Sequence, residues 1–428
     1  MIEIFRCVCG HGPLLIGLRW REKRLSVSRT RKTGESRTLS LSGRTVLQVI
    51  PHLSAGGAER TTIEVAEALK AAGAHAIVAS VGGRLEGELS RAGAELIKID
   101  NLATKNPIAI YSNATILSKI IAKNKVDLVH ARSRAPAWSA LWAARRMKRP
   151  FVTTYHGVYN ARSSAKRLYN SVMARGDAVI ANSDYTAAHV RQQHPDAASR
   201  IVTIHRGVDI KRFTPEAVLP ARITALANAW RLPSNTPDRN ETLVLLPARM
   251  TGWKGHREAI AAAALLKSGN TPPWRMIFAG DDQGRGNYLH ELAQLITQHG
   301  LDDRIAMVGH CDDMPAAFAL ADIVIAPSNE PEAFGRVAAE AGAMGVPVIG
   351  SKIGAQGEII VDGQTGFVVP PLDPPALAGA IGNLLERGPD GRQQMGEAAQ
   401  ARVREKFTTA ALQQATLAVY ERLMGRPS

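Results

Sequence analysis

Thr45-Val46-Leu47-Gln48-Val49-Ile50, then the glycine turn Ser54-Ala55-Gly56-Gly57-Ala58, then a helical stretch from Glu59 to Ala72: this order decides the fold. A short β-branched run predicts a buried parallel strand, and apolar residues at Ile63, Ala66 and Leu69 line one face of the helix after it. The unit recurs. Strands are predicted at His75–Val81, Glu95–Ile99, Leu128–His130, Phe151–Tyr155 and Ala178–Asn182, with helices at about 107–123, 135–147 and 163–175 between them. After a break, strands are predicted near Leu243–Pro247, Arg275–Ala279, Ile305–Val308, Ile323–Ala326 and Pro347–Gly350. Alternating strands and helices imply right-handed crossovers and parallel sheets.

The stretch from about 205 to 240 shows no strand and carries Pro215, Pro220, Pro233 and Pro237, so it reads as a linker. The expected architecture is α/β, with two doubly wound, Rossmann-like domains at 45–215 and 216–428, after a flexible basic extension at 1–44. The C-terminal helix is free to pack back on the first domain. Ligands of such sheets bind outside the carboxyl ends of the strands, so the expected site is the cleft between the domains.

Composition narrows the class. A chain of 428 residues with 45% hydrophobic content supports real cores, which excludes a disordered or fibrous protein. Three cysteines, Cys7, Cys9 and Cys311, cannot build a disulfide framework and point to a reducing compartment. No apolar run reaches the roughly 18 residues of a membrane-spanning helix. The run Pro13–Leu18 lacks a small-residue cleavage site and reads as a poor signal peptide. The expected location is therefore cytoplasmic. Net charge is +15, and it is uneven: residues 45–215 hold 24 Lys/Arg against 12 Asp/Glu, whereas 216–428 hold 19 against 23. The first half is expected to face something anionic.

Four segments carry candidate chemistry. The stretch Pro327-Ser328-Asn329-Glu330-Pro331-Glu332-Ala333-Phe334-Gly335-Arg336 follows a strand and opens a helix, with Glu340 eight residues beyond Glu332. Backbone N–H groups at a helix start suit a diphosphate, and a carboxylate there accepts hydroxyls or merely caps the helix. Arg249 and Lys254 lie five apart across a glycine turn and can share one diphosphate, or stand as solvated bases. The Gly56-Gly57 turn permits close backbone approach. Thr154-Tyr155-His156-Gly157 ends a strand and brings an imidazole to the cleft. Asp281-Asp282, Asp312-Asp313 and Cys7-x-Cys9-x-His11 offer too few partners for a metal site, and no metal or other cofactor is expected.

Taken together, these motifs resemble those of the retaining GT-B glycosyltransferases of family 4, of the bacterial envelope polysaccharide and lipopolysaccharide type. The segments are Gly56-Gly57-Ala58-Glu59, Arg249…Lys254-Gly255, Glu332-x-Phe334-Gly335…Glu340 and Pro347-Val348-Ile349…Gly354…Glu358…Gly363-x-Thr365-Gly366. The resemblance covers residues 45–425. It implies a nucleotide-sugar donor held mostly by the second domain. Arg249 and Lys254 would meet the diphosphate, Glu340 the ribose and Glu332 the donor sugar. Amides of Phe334, Gly335 and Arg336 would lie near sugar and phosphate. His156 would face the sugar, Gly57 the diphosphate, and Gly280 with the Gly309-His310-Cys311 segment the base. The acceptor would be a saccharide or a glycolipid. Arg206-Gly207-Val208-Asp209 departs from the family, which usually has Asn before Gly-Val-Asp, and reads as a local change of cap.

A sugar-nucleotide epimerase or a phosphorylase of the same fold is the alternative enzyme. The basic pI of about 10.0 also raises a nucleic-acid-binding protein, but aromatics are only 5% and no aromatic-interleaved basic motif occurs. No nucleic-acid partner is expected. The bases Arg145, Arg146, Lys148, Arg149, Arg162, Lys166 and Arg167 form the expected acceptor or membrane face. They suit peripheral docking on the anionic cytoplasmic leaflet of an inner membrane.

Overall fold

The structure is a computed structural model that describes residues 41–54, 56–159, 163–232, 241–284 and 286–425. Arg162, Cys7, Cys9, His11 and most of the expected basic extension lie outside the described residues. The first sheet contains β1 (Thr45–Val49), β2 (His75–Ser80), β3 (Glu95–Lys98), β4 (Leu128–Ala131), β5 (Phe151–Tyr155), β6 (Ala178–Ala181) and β7 (Ile201–Thr203), in the order 3-2-1-4-5-6-7. The second contains β8 (Thr242–Pro247), β9 (Trp274–Ala279), β10 (Ile305–Gly309), β11 (Ile323–Ala326), β12 (Val348–Ser351) and β13 (Gly366–Val369), in the order 10-9-8-11-12-13. All their pairings are parallel; Val46 of β1, for instance, lies between Ala76 of β2 and Leu128 of β4. These are the two doubly wound domains expected from the sequence.

Strands buried on both faces carry apolar residues without alternation, because helices cover both sides of the sheet. β1, β4, β5, β6 and β8 are buried along their whole length. In each sheet the order reverses between two adjacent strands, β1 and β4 in the first, β8 and β11 in the second. The loops leaving those four strands define the crevices where ligands of such folds bind. They end in Gly57, Arg132, Lys254 and Glu332.

Three sequence expectations change. Residues 41–44 are part of the fold, not of the extension: Leu41 is 3% exposed and its N–H donates to the Ala72 carbonyl. The supposed linker holds a helix, Pro220–Ala229, with Pro220 at its first position, where a missing N–H costs nothing. Val208, Phe213, Val218, Ala227, Trp230 and Leu232 all pack into the core beside the second sheet. The prolines start structure there instead of interrupting it. β7 and β13 also went unpredicted, being only three and four residues long.

The chain passes between the domains twice, and the two passages pair. Val208 bridges Thr408, its N–H donating to the Phe407 carbonyl while Thr409 donates back to Val208. The final helix, Thr409–Met424, then buries Leu412, Leu417, Val419, Tyr420 and Leu423 in the core beside the first sheet. Among the described residues no helix is long and apolar enough to cross a membrane.

Candidate functional site

In the second domain, the turn Gly252–Lys254 follows β8 and closes on Gly255, whose φ is 80°. A Cβ at Gly255 would lie 1.9 Å from the Pro327 carbonyl oxygen, so only glycine lets this loop touch the one after β11. The approach puts the Lys254 ammonium 2.5 Å from Glu332 Oε1 and 4.1 Å from the centre of the Trp253 ring. The Ser328 hydroxyl donates to the same carboxylate oxygen at 2.8 Å. Arg249, by contrast, is exposed and has no side-chain partner among the described residues. The predicted cation pair therefore has one member locked in an ion pair and one free. Gly280, at the end of β9, donates its N–H to Gly309, and the neighbouring His310 is exposed and bonded to Asp312 at 3.0 Å.

Glu332 is fixed from behind by a parallel bridge to Gly354, and its carbonyl accepts the Ala355 N–H at 2.8 Å. Phe334 is 3% exposed and packs its ring against Phe407 and His205, so it anchors the loop and offers only its amide. Gly335 caps the helix Arg336–Ala343 in the left-handed region. The amides of Phe334, Gly335, Arg336 and Val337 donate to no acceptor among the described residues. Unsatisfied amides at a helix start are groups that suit an anion. Glu340 sits one turn in, its side chain 12% exposed, with Arg336 at 3.5 Å. Burial raises its pKa above the usual carboxylate value, opposed by the Arg336 and Arg212 charges.

The first domain supplies three groups that sequence reasoning missed. Arg206 is no local cap. Its guanidinium lies over Gly57 at the start of the helix Gly57–Ala71, where a Cβ would come within 2.0 Å of Nη1, and Nη2 lies 3.0 Å from His156 Nδ1. The space above Gly57 expected to take a diphosphate is thus held by an arginine. Arg132, leaving β4, is 1% exposed with Nε and Nη2 unpartnered. Glu64 is 8% exposed, and burial raises its pKa against the pull of Arg336, Arg132, Arg60 and Arg206.

Burial together with the charges of Arg336 and Arg132 lowers the Arg206 pKa to about 10. His156 is held well below its ordinary value by burial and then by Arg206, Arg132 and His130. Its Nε2, and Nε of Arg206 and Nη2 of Arg336, have no partner. Buried donors without acceptors are rare, and here they gather at two helix starts in one cleft. The arrangement suits an anion. The Arg206 signal was visible as the departure from Asn, and that of Arg132 as its place just past a strand's carboxyl end, the side of such sheets where ligands bind.

The expected basic face divides. Arg145 makes a bidentate pair with Asp177 at 2.8 and 2.9 Å, while Arg146 and Lys148 are exposed and Arg149 half-buried. These four lie at the far end of the helix Arg134–Arg146, roughly 18 Å along its axis from Arg134. Lys166 and Arg167 stand exposed on the helix Ser164–Ser171, near the other end, so one helix length separates the two groups.

The acidic pairs have local duties. Asp281 and Asp282 accept the N–H groups of Gln283 and Gly284, and Asp313 pairs with Arg222 and caps the helix Met314–Leu320. Asp184, His205 and Glu358 bring ligand atoms within 4.8 Å of one another. Glu358, however, spends its oxygens on the Asp184 and Tyr185 N–H groups and on His205 Nε2, at 2.9, 2.7 and 2.8 Å. A carboxylate of the second domain thereby caps the helix Asp184–Gln193 of the first.

Comparisons with known proteins bear on the family of the chain. The family description "Glycosyltransferase Family 4" matches residues 55–212, and "Glycosyl transferases group 1" matches residues 231–402. The crystal structure of a glycosyltransferase from Rickettsia africae is 36% identical with a TM-score of 0.82, over 90% of this chain and 99% of that one. The Anabaena protein HepE, solved in complex with UDP and glucose, is 25% identical with a TM-score of 0.73, over 89% of this chain and 100% of that one. A D-inositol 3-phosphate glycosyltransferase of Xylanimonas cellulosilytica is 30% identical over 289 residues, 62% of this chain and 65% of that relative's length.

Proposed function

Because the chain belongs to the GT-B glycosyltransferases, we propose that it moves a hexose from a nucleotide-sugar donor to a saccharide or glycolipid acceptor, with retention of the anomeric configuration. The observation that carries this reading is the cationic, donor-rich cleft: Lys254 and Arg249, the free amides of Phe334–Val337, and the under-partnered guanidinium groups of Arg132, Arg206 and Arg336. A departing nucleoside diphosphate gathers negative charge while the sugar becomes oxocarbenium-like. Preorganised cations and N–H groups stabilise that charge without reorganising. In this reading Arg249 and Lys254 meet the diphosphate, Glu340 the ribose hydroxyls and His156 the donor sugar. Glu332 holds Lys254 in place beside the sugar. The acceptor oxygen attacks from the side of the leaving group, with no covalent sugar on the protein. Those side chains supply the cations, so the reaction as proposed uses no metal.

The acceptor belongs, in this proposal, to bacterial envelope polysaccharide or lipopolysaccharide synthesis, reached from a cytoplasmic membrane face. Exposed Ile108, Tyr111 and Leu168 adjoin Lys105, Lys166 and Arg167 in the chain, a mixture of apolar and basic groups that suits an anionic lipid surface. Sedimentation with anionic and neutral vesicles at low salt tests it; a protein that stays equally soluble with both would refute membrane docking.

The transfer itself is tested by thermal shift with UDP, GDP and ADP, followed by turnover of the matching nucleotide sugars. HepE's complex makes UDP the first to try. A bound nucleotide at a hundredfold excess over Kd stabilises by about 2.7 kcal/mol. No stabilisation by any of the three, and no sugar transfer, would overturn the reading. The anomeric configuration of the product by NMR decides retention.

A further inference from the structure

The core of the first domain contains a line of polar side chains that starts on the last helix. Tyr420 is fully buried and places its hydroxyl 2.6 Å from His130 Nδ1, while His130 Nε2 lies 2.7 Å from Thr154 Oγ1. His130 is fully buried as well, and Thr154 is 4% exposed. We infer that Tyr420, acting through His130 and Thr154, is a positioning residue: it fixes the ends of β4 and β5 so that Arg132 and His156 stand correctly at the cleft. The inference rests on the glycosyltransferase reading and adds that the last helix must be docked for turnover.

β4 and β5 are neighbours in the sheet, with His130 opposite Val152 and Ala131 opposite Thr153. Arg132 follows His130 by two residues and His156 follows Thr154 by two, each one residue past the end of its strand. The polar line therefore clamps both strands just short of the groups that leave them. Arg132 Nε and Nη2 and His156 Nε2 are buried without partners among the described residues, so their placement depends on the strands that carry them.

The ring at the centre is a directional link. Burial, and then the Arg132 charge, holds His130 well below its ordinary pKa, so the imidazole is neutral, with one N–H and one lone pair. The same Arg132 charge favours the Tyr420 oxygen turned towards it. That assigns the tyrosine proton to His130 Nδ1 and leaves Nε2–H to donate to Thr154. The two rings also meet edge-on at 5.7 Å. Tyr420 brings this link from the far end of the chain: its helix begins where Thr408 pairs with Val208, and Leu412, Leu417 and Leu423 seal it into the first-domain core. A fully paired buried network specifies one arrangement, and a missing member lets the rest re-pair. An apolar ring at this position would keep the helix buried and give up that orientation.

The test is Tyr420→Phe, which keeps the ring and removes only the hydroxyl, alongside Thr154→Val and the double variant. Hydrolysis and transfer of UDP-glucose, GDP-mannose and ADP-glucose give kcat and KM. Calorimetry with the free nucleotides gives donor-site affinity, and urea midpoints give stability. The expected result is a kcat about tenfold lower in each single variant at unchanged nucleotide affinity, because the nucleotide is held by the second domain. The double variant should be no slower than the slower single, since both act through one imidazole. The ring-nitrogen NMR signals of His156, identified by their loss in His156→Gln, should shift in Tyr420→Phe, a readout that needs no turnover. A kcat within about threefold of the parent would overturn the positioning role. So would an unmoved His156 signal, single effects that multiply in the double variant, or a loss of kcat matched by equal losses of stability and nucleotide affinity. A parent that binds none of UDP, GDP and ADP and turns over none of the three sugars would overturn the glycosyltransferase reading instead.

Discussion

Lys254 is the residue where several demands meet. Its side chain is 13% exposed, and its charge is balanced by Glu332, itself 17% exposed. A half-buried pair of this kind keeps an ammonium at a fixed point, where leaving-group charge can draw on it. Lys254→Ala should reduce kcat/KM by on the order of 2–4 kcal/mol of transition-state stabilisation. Activity within threefold of the parent would remove Lys254 from the site. Arg206 behaves differently. It is buried among cations, and its lowered pKa reports a charge the fold tolerates at a cost. Arg206→Met removes the desolvated charge and keeps much of the volume. Stability should hold or rise, while turnover falls about a hundredfold, as for other charge-stabilising donors. A variant that loses stability but retains turnover would mark Arg206 as structural.

At the scale of elements, two helices of the second domain start at the proposed site. The helix Arg336–Ala343 is entered through a left-handed glycine, and the helix His256–Ser268 through another, Gly255. His256, the first residue of the latter, is fully buried between the Phe278 and Tyr288 rings at 5.3 and 6.0 Å. Burial, assisted by the Lys254 and Arg257 charges, lowers its pKa to about 4. An unfolded histidine titrates near 6.5, so between those values the unfolded chain binds the extra proton. Stability from this residue is therefore intact above about pH 6.5 and is lost as pH falls towards 4, roughly 3 kcal/mol in all. Urea midpoints at pH 7 and pH 5 should separate strongly in the parent and less in His256→Gln. The same separation in both proteins would show that His256 is not the source. Glu64 and Glu340, whose pKa values are raised, oppose the trend because their folded forms bind protons more readily in that window.

Across the whole molecule, the domains are tied by a few polar contacts and one returning helix. Glu358 caps the helix Asp184–Gln193 across the cleft and also meets His205. Tyr420 of the last helix holds His130 at 2.6 Å, whose other nitrogen meets Thr154 at 2.7 Å. Glu358→Ala leaves two helix-start N–H groups without their charged acceptor, a loss of about 2 kcal/mol between the domains. The domains should then open more often. Small-angle scattering should show a larger radius of gyration, and saturating nucleotide should restore the parent's value. A radius unchanged from the parent's would show that the clasp does not hold the cleft.

The sequence by itself determined the two parallel sheets, because buried strands must be apolar throughout and the helices between them must show a 3.6-residue period. It also marked the second-domain loops of the proposed site: the Lys254–Gly255 turn, the Glu332 loop and the helix start before Glu340 are contiguous segments, and the structure brings the first two into contact through Lys254 and Glu332. The helix at Pro220–Ala229 escaped because proline both ends and begins helices, and only packing against Trp230 and Phe213 distinguishes the two. What tertiary structure alone decided were meetings between distant segments. Arg206 reaches His156 across 50 residues, Tyr420 reaches His130 across 290, and Glu358 reaches the Asp184 helix across 174. The basic stretch 145–149 and the bases of 166–167 look like neighbours in the chain, yet a helix about 18 Å long holds them apart. Local pattern records which residues share a face of one element; which faces share a cleft depends on how the thirteen strands of the described residues and their crossovers close together, and no short stretch encodes that distance.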